Sequence, residues 1–119
     1  MKPDRSADYL GHMIEAASAA TSYVQGMDQD GFMQDRRTQQ AVLHNIMVIG
    51  EAATQLAQTA PALVASCPEV PWQSLRGMRN RVAHGYFDID LDVVWNTVQR
   101  ALPALLLSLT ALRSRLPAD

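Results

Sequence analysis

The chain alternates between segments with helical periodicity and short breaks, and the periodicity is always that of a helix. From Asp8 to Met27 the apolar and small residues fall in two rows. One is Tyr9, Met13, Ala16, Ala20, Tyr23 and Met27; the other is Leu10, Ile14, Ala17 and Val24. Steps of three and four predict a first helix over this span. "GMDQDGF" (26–32) is rich in Gly and Asp and predicts the end of that helix and a turn of the chain. A second, long helix is predicted from about Asp35 to Thr59, with a main stripe of Val42, Ile46, Ile49, Ala53, Leu56 and Ala60. Leu43, Met47, Gly50 and Ala57 form a flank wide enough to meet two neighbours. Gly50 in mid-helix costs about 1 kcal/mol against Ala, which points to a second backbone coming close there.

Pro61, Pro68 and Pro71 interrupt the next stretch, which has room for one short helical turn around Leu63. Pro71 suits the first turn of a third helix, where its missing N–H needs no partner. A fourth helix is predicted to start near Asp88 or Asp90, either a good N-cap, with Asp92 in the favourable first turn. Leu91, Trp95, Val98, Leu102, Leu105, Leu109, Leu112 and Leu116 then repeat in alternating steps of four and three. Such a seam packs either against the chain's own bundle or against another subunit. Pro103 lies inside it and predicts a kink.

Composition agrees with this pattern. Hydrophobic residues make up 48% of the 119 positions and aromatics 6%, and the prevalence of Ala and Leu favours helix over sheet. The expected class is all-α, as a single domain over residues 1–119. The lone Cys67 excludes an internal disulfide, sits between Ser66 and Pro68 without a nearby base, and is no candidate nucleophile. His12, His44 and His84 are too widely separated to suggest zinc ligation, so neither a metal nor a cofactor is expected. No apolar run approaches the roughly 18 residues of a membrane span, and "MKPDRSADYLGHM" carries acids where a signal peptide would be apolar. A soluble, cytoplasmic protein without a membrane partner is expected.

Net charge is −2, so the molecule as a whole has no broad attraction for nucleic acid, and any such binding must be local. Nine of the ten basic residues are Arg. Arg76, Arg79 and Arg81 lie between Pro71 and Tyr86, a stretch without a single acid. Guanidinium is planar, permanently charged and forked, and therefore well matched to phosphate. On a helical wheel Trp72, Leu75, Met78 and Val82 occupy one arc of about 120°, and Arg79 falls inside it. His84 lies roughly 140° from Arg79, and Arg81 about 60° beyond His84. A charge on the apolar arc needs a path to water or an anionic partner. For Arg79 and His84 to share a site, the helix must loosen near Gly85, the Arg side chain must reach around, or a second copy of the helix must complete the groove. The simpler reading is that Arg81 and His84 answer the helix dipole ahead of Gly85.

"RNRVAH" followed by "GY" (79–86) has the form R-x4-H-x-Y and resembles the motif of the HEPN superfamily, specifically of HepT-like (DUF86) toxins. "IGEAA" (49–53), "VPWQSLRGMRNRVAHGYFDID" (70–90) and Trp95 resemble that family's pattern in the same order, and the similarity runs from "DYLGHM" to "LPALL". The resemblance implies an up-and-down bundle of four to five helices that forms a homodimer, bringing two motifs to one cleft. It also implies a metal-independent endoribonuclease, the toxin of a toxin–antitoxin pair whose partner is an MntA-like nucleotidyltransferase antitoxin. Carried over residue by residue, Arg79 and His84 are the expected catalytic pair, with Asn80 as the polar residue after the Arg. Tyr86 is the tyrosine that the partner can modify with AMP.

These residue types suit the reaction. Attack of a ribose 2′-OH on the adjacent phosphate needs a proton acceptor, a proton donor and a group that holds the charge gathering on phosphorus. Histidine, with an ordinary pKa of about 6.5, serves either proton role, and Arg grips phosphate at two points. One motif supplies one His, and a dimer would supply two. Arg76 and Arg81 are candidate contacts for further RNA phosphates; Arg36 and Arg37 are either helix-start charges or an extension of the RNA path. Glu51, opposite the main stripe of its helix, is a solvated or interface charge, or else a partner for an arginine. The alternative function is a non-catalytic subunit that docks a nucleotidyltransferase or nucleotide, with the Arg cluster only holding phosphate.

Overall fold

The computed structural model describes residues 4–85 and 88–116, and among these every regular element is helical. Tyr86 lies outside the described residues. In chain order the helices are α1 (Ser6–Tyr23), α2 (Gln29–Gln34), α3 (Arg36–Thr59), α4 (Pro61–Ala65), α5 (Trp72–His84), α6 (Leu91–Asn96) and α7 (Leu102–Ser114). A π turn, Thr97–Ala101, joins the last two. α1 packs against both α3 and α7, and α3 carries α5. No helix among the described residues is long and apolar enough to cross a membrane.

α1 buries Leu10, Met13, Ala16, Ala17, Ala20 and Val24. Its core stripe thus runs between the two rows that the sequence suggests, leaving Tyr9 half-buried and Tyr23 exposed. The reason is the small size of Ala, which fits at a close helix contact but marks no direction by itself. The helix also ends earlier than the pattern predicts, at Tyr23 rather than Met27. The hydroxyls of Thr21 and Ser22 bond back to the carbonyls of Ser18 and Ala19 (2.9 and 2.7 Å). Gly26 then takes a left-handed φ of 81°, unique among the described residues, a conformation that costs glycine nothing.

The turn expected over 26–32 contains a short helix. Asp28 caps α2 by accepting from the Gly31 N–H (2.8 Å), and Phe32 is fully buried with its ring 5.3 Å from that of Trp95. Burial of this ring stabilises a segment whose Gly and Asp content reads as loop. Asp35 starts α3, accepting from the backbone N–H of Thr38 (3.0 Å) and, at its other oxygen, from the Thr38 hydroxyl (2.8 Å). Those two bonds, the backbone one foremost, hold its carboxyl below the ordinary value. In α3 the predicted stripe from Val42 to Leu56 is buried throughout, as are Leu43 and Gly50 on its flank.

Pro71 stands at the N-cap of α5, one position before the helix proper. The Trp72 indole N–H donates to the Cys67 carbonyl (3.0 Å) and fixes the entry angle. Cys67 itself is buried; burial first and the neighbouring Glu69 second push its thiol above the ordinary value. α5 stays regular through His84, and Gly85 closes it at φ −132°, without the left-handed residue that often follows a helix. At the next helix Asp90, not Asp88, is the cap, accepting from the N–H groups of Asp92 and Val93 (2.9 and 3.4 Å).

The seam from Trp95 through Leu112 is buried within the chain's own core, which settles its partner as the bundle, with Leu91 and Leu116 half-buried at its ends. The predicted disturbance at Pro103 takes a specific form. Proline has no N–H and its ring crowds the carbonyl four residues back. The preceding turn widens, so that the Leu102 N–H reaches the Thr97 carbonyl five residues away.

Gly50 sits where the two central helices touch. A Cβ placed there would overlap the Cβ of Arg79 and stand 2.8 Å from the Leu75 carbonyl oxygen of α5, so the close backbone inferred from the sequence is that of α5. Gly77, on α5, would meet nothing within 4 Å. The two glycines should therefore respond oppositely to alanine. Gly50→Ala is expected to lower stability by about 1–3 kcal/mol through overpacking, more than the roughly 1 kcal/mol gained in helix propensity. Gly77→Ala should raise stability by up to about 1 kcal/mol. Denaturant unfolding of both variants measures this, and destabilisation by Gly77→Ala with none by Gly50→Ala would contradict the packing. Cys67 should react with a thiol reagent only at the rate of unfolding, since its thiol is buried and held protonated; rapid labelling of the native protein would contradict that.

Candidate functional site

α5 carries the candidate residues, Arg79 at the edge of its packed side and Arg76, Asn80, Arg81 and His84 on its exposed side. Trp72 and Val82 are buried, and Leu75 and Met78 are half-buried, so the predicted apolar arc is the packed one. Arg79 lies on it as expected. Its stem rests on the bare backbone of Gly50, and its head emerges at the edge of the α3–α5 contact with 32% of the side chain exposed.

There it meets Glu51, 28 residues earlier in the chain. The Arg79 Nε–H donates to Glu51 Oε2 at 3.1 Å, and Nη2 lies 2.9 Å from the same oxygen. Nη1 donates to the Asn80 side-chain carbonyl at 2.8 Å. The charge in the apolar arc thus has an anionic partner as well as a path to water. Of the two roles open to Glu51 in the sequence, partner to an arginine is the one it takes. Its other oxygen accepts from the Gln55 amide one turn on, at 3.4 Å. The Glu51 side chain is half-exposed, and an ion pair at such a surface contributes only about 0–1 kcal/mol to stability. Its geometric effect is larger. A guanidinium has five N–H groups; three of Arg79's are engaged among the described residues, and they include the whole Nε/Nη2 edge. One N–H on Nη1 and one on Nη2 remain to meet an anion.

Because α5 is regular to its end, the separation of Arg79 and His84 around the axis stays at about 140°. The helix does not loosen before Gly85 to bring them together. Arg79, Arg76, Asn80 and His84 follow one another around one side of α5 at about 60°, 40° and 40°. Arg76, Asn80 and His84 are all exposed. Arg81 lies beyond them and borders a hollow of about 340 Å³ shared with Met78, Val82, Ile89 and Val93, where Asp88 and Asp90 also stand. Arg81 and His84 occupy the last turn, where positive charge suits the helix dipole. Arg36 and Arg37 are exposed at the start of α3. Among the described residues there is no cluster of three or more His, Cys, Asp or Glu able to hold a metal ion.

The structure also adds a neighbour that the sequence does not place. A shallow hollow of about 210 Å³ between α1 and α3 is lined by Tyr9, His12, Val48, Glu51, Ala52 and Gln55. No spacing along the chain connects His12 with Glu51, because their sharing of this hollow depends on how α1 and α3 pack.

A family profile described as "Ribonuclease HepT-like" matches residues 13–112. A protein of Thermococcus cleftensis named "Probable ribonuclease HepT" is 33% identical over 98 residues, which cover 82% of this chain and 86% of that one. Two proteins named "Putative RNase" are similar as well. One, from Methanocaldococcus jannaschii, is 30% identical over 80% of this chain and 76% of its own. The other, from Caldanaerobacter subterraneus, is 27% identical over 82% of this chain and 84% of its own. No solved structure matches the chain. The profile spans both the α3 segment that bears Gly50 and Glu51 and the α5 segment that bears Arg79 and His84, and the chain belongs to the ribonuclease HepT-like family.

Proposed function

We propose that this protein is an endoribonuclease toxin in which Arg79 holds the scissile phosphate and His84 transfers protons. The observation that carries this reading is the state of Arg79: its stem is packed on Gly50, its Nε and Nη2 are held by Glu51 and its Nη1 by Asn80, and about a third of the side chain stays exposed. Membership of a family whose relatives carry ribonuclease names supports RNA as the substrate.

The proposed reaction needs no metal ion. The ribose 2′-oxygen attacks phosphorus as its proton passes to an imidazole, the bond from phosphorus to the 5′-oxygen breaks, and the leaving oxygen takes a proton from an imidazolium. Arg79 neutralises the charge that gathers on the phosphoryl oxygens. Since Arg79 and His84 lie about 140° apart on one helix, a homodimer is proposed in which the motif of one subunit faces that of the other and the two His84 residues act as base and acid. Arg76, on the side of α5 between Arg79 and His84, is the better placed of the two further candidate phosphate contacts. Arg81 has Asp88 and Asp90 for neighbours.

The proposed partner is an MntA-like nucleotidyltransferase antitoxin. Tyr86, two positions after His84 in the sequence, is the proposed site of its modification with AMP, which would add bulk and negative charge close in the chain to the proposed catalytic histidine. Docking of the partner alone is the other route to the same neutralisation.

His84→Ala is expected to lower RNA cleavage at least about 100-fold with an unchanged far-UV circular dichroism spectrum. In the wild type, products should end in 2′,3′-cyclic phosphate and a chelator should leave the rate unaltered. Wild-type cleavage by His84→Ala would remove the histidine from the mechanism. Binding of RNA without cleavage by the wild type would instead favour the non-catalytic subunit. Incubation with the partner and ATP should raise the intact mass by one AMP in the wild type and not in Tyr86→Phe; equal addition to both proteins would exclude Tyr86 as the acceptor.

A further inference from the structure

We infer that Glu51 is the positioning residue for Arg79, and that Gly50 and Glu51 together form a cradle that presents the outer end of the guanidinium to an RNA phosphate. This rests on the ribonuclease reading above and adds to it the element that sets the phosphate grip.

The two parts of the cradle act on different parts of one side chain. Gly50 has no Cβ, so the Arg79 stem lies directly against the α3 backbone. The next residue, Glu51, takes the head: one oxygen, Oε2, receives both Nε–H and Nη2–H. Gln55 contacts the second oxygen from the following turn of α3, and Asn80 holds Nη1. A long, half-exposed Arg side chain otherwise samples many rotamers, and binding of phosphate would have to immobilise it. Here the immobilisation is already made in the free protein. Glu51 and Asn80 together still leave one N–H on each of Nη1 and Nη2, and these can serve a phosphate.

The carboxylate has an opposite effect on affinity. Glu51 places a negative charge beside the site meant for a phosphate, which weakens binding of RNA in the ground state while it fixes the geometry used in the reaction. Positioning and charge therefore pull the kinetic constants in different directions, and their separation provides the test.

The experiment is steady-state cleavage of a fluorescein-labelled single-stranded RNA oligonucleotide that the wild type cuts, with Glu51→Ala, Glu51→Gln and Glu51→Asp. In Glu51→Ala, kcat is expected to fall by about 10- to 100-fold, while KM stays level or falls by about two- to threefold because one repelling charge is gone. Glu51→Gln keeps an acceptor at the same reach, and its kcat should lie within about threefold of wild type. Glu51→Asp keeps the charge but is one methylene shorter, and its kcat should fall by about tenfold or more even though the fold keeps every charge it had. Unchanged kcat in Glu51→Ala and Glu51→Asp would overturn the inference. So would a rise in KM with kcat intact, which would make Glu51 a binding residue, and so would a loss in Glu51→Gln equal to that in Glu51→Ala. Arg79→Ala and His84→Ala, measured alongside, separate the two claims: wild-type cleavage by these would remove Arg79 and His84 from the mechanism and with them the reading on which the inference rests, whereas silent Arg79→Ala and His84→Ala with a fully active Glu51→Ala would sink the positioning role alone.

Discussion

The contact of α5 with α3 at Gly50 is the constraint on which the candidate site depends. A glycine in the middle of a 24-residue helix gives up helix propensity. What it allows is an approach so close that the Leu75 carbonyl and the Arg79 Cβ occupy the space of a side chain. That approach settles where α5 lies and how its apolar arc is packed. It also sets the level at which Arg79 leaves the core, one residue along from a glutamate that can reach its head. The ion pair is a consequence of the backbone contact, since a surface carboxylate and guanidinium are too weakly attracted to bring two helices together.

Much of this was legible in the chain. The seam from Trp95 to Leu112 is read correctly because large aliphatic residues at steps of four and three mark one direction only, and the structure shows that direction to be inward. Gly50 is legible because a mid-helix glycine needs a reason. α1 is read less well, since its alanines fit either of two neighbouring rows and the true stripe of Leu10, Met13, Ala17, Ala20 and Val24 crosses both. α2 is hidden behind Gly and Asp, which signal a turn unless the cap at Asp28 and the burial of Phe32 are known. The π turn before Pro103 follows from the same steric rule that predicts a kink, but the rule does not say which distortion relieves it.

The site divides in the same way. Arg79 is recognisable as a charge in an apolar arc from the sequence alone, and the angle between it and His84 is fixed by a helix that stays regular to its end. Its pairing with Glu51 is not recognisable, because 28 residues and a helix-to-helix contact separate the two. Family membership tells which residues to examine. The geometry adds what the motif does not contain, a prepared arginine on one side of a helix and a histidine well round the same surface. Under the proposed function these become one site when a second subunit supplies its own α5, since a helix that stays regular to its end does not bring them together.

The central claim is that Arg79, held by Glu51, receives the phosphate of RNA at its outer end. It is tested most directly by following the Arg79 side-chain nitrogens by NMR in a His84→Ala protein titrated with a 2′-O-methylated RNA oligonucleotide, which cannot be cleaved by its own 2′-oxygen. The Nη signals of Arg79 are expected to shift with RNA while its Nε–H, bound to Glu51, stays protected from exchange at every step. Saturation of RNA binding with all Arg79 signals unmoved would contradict it.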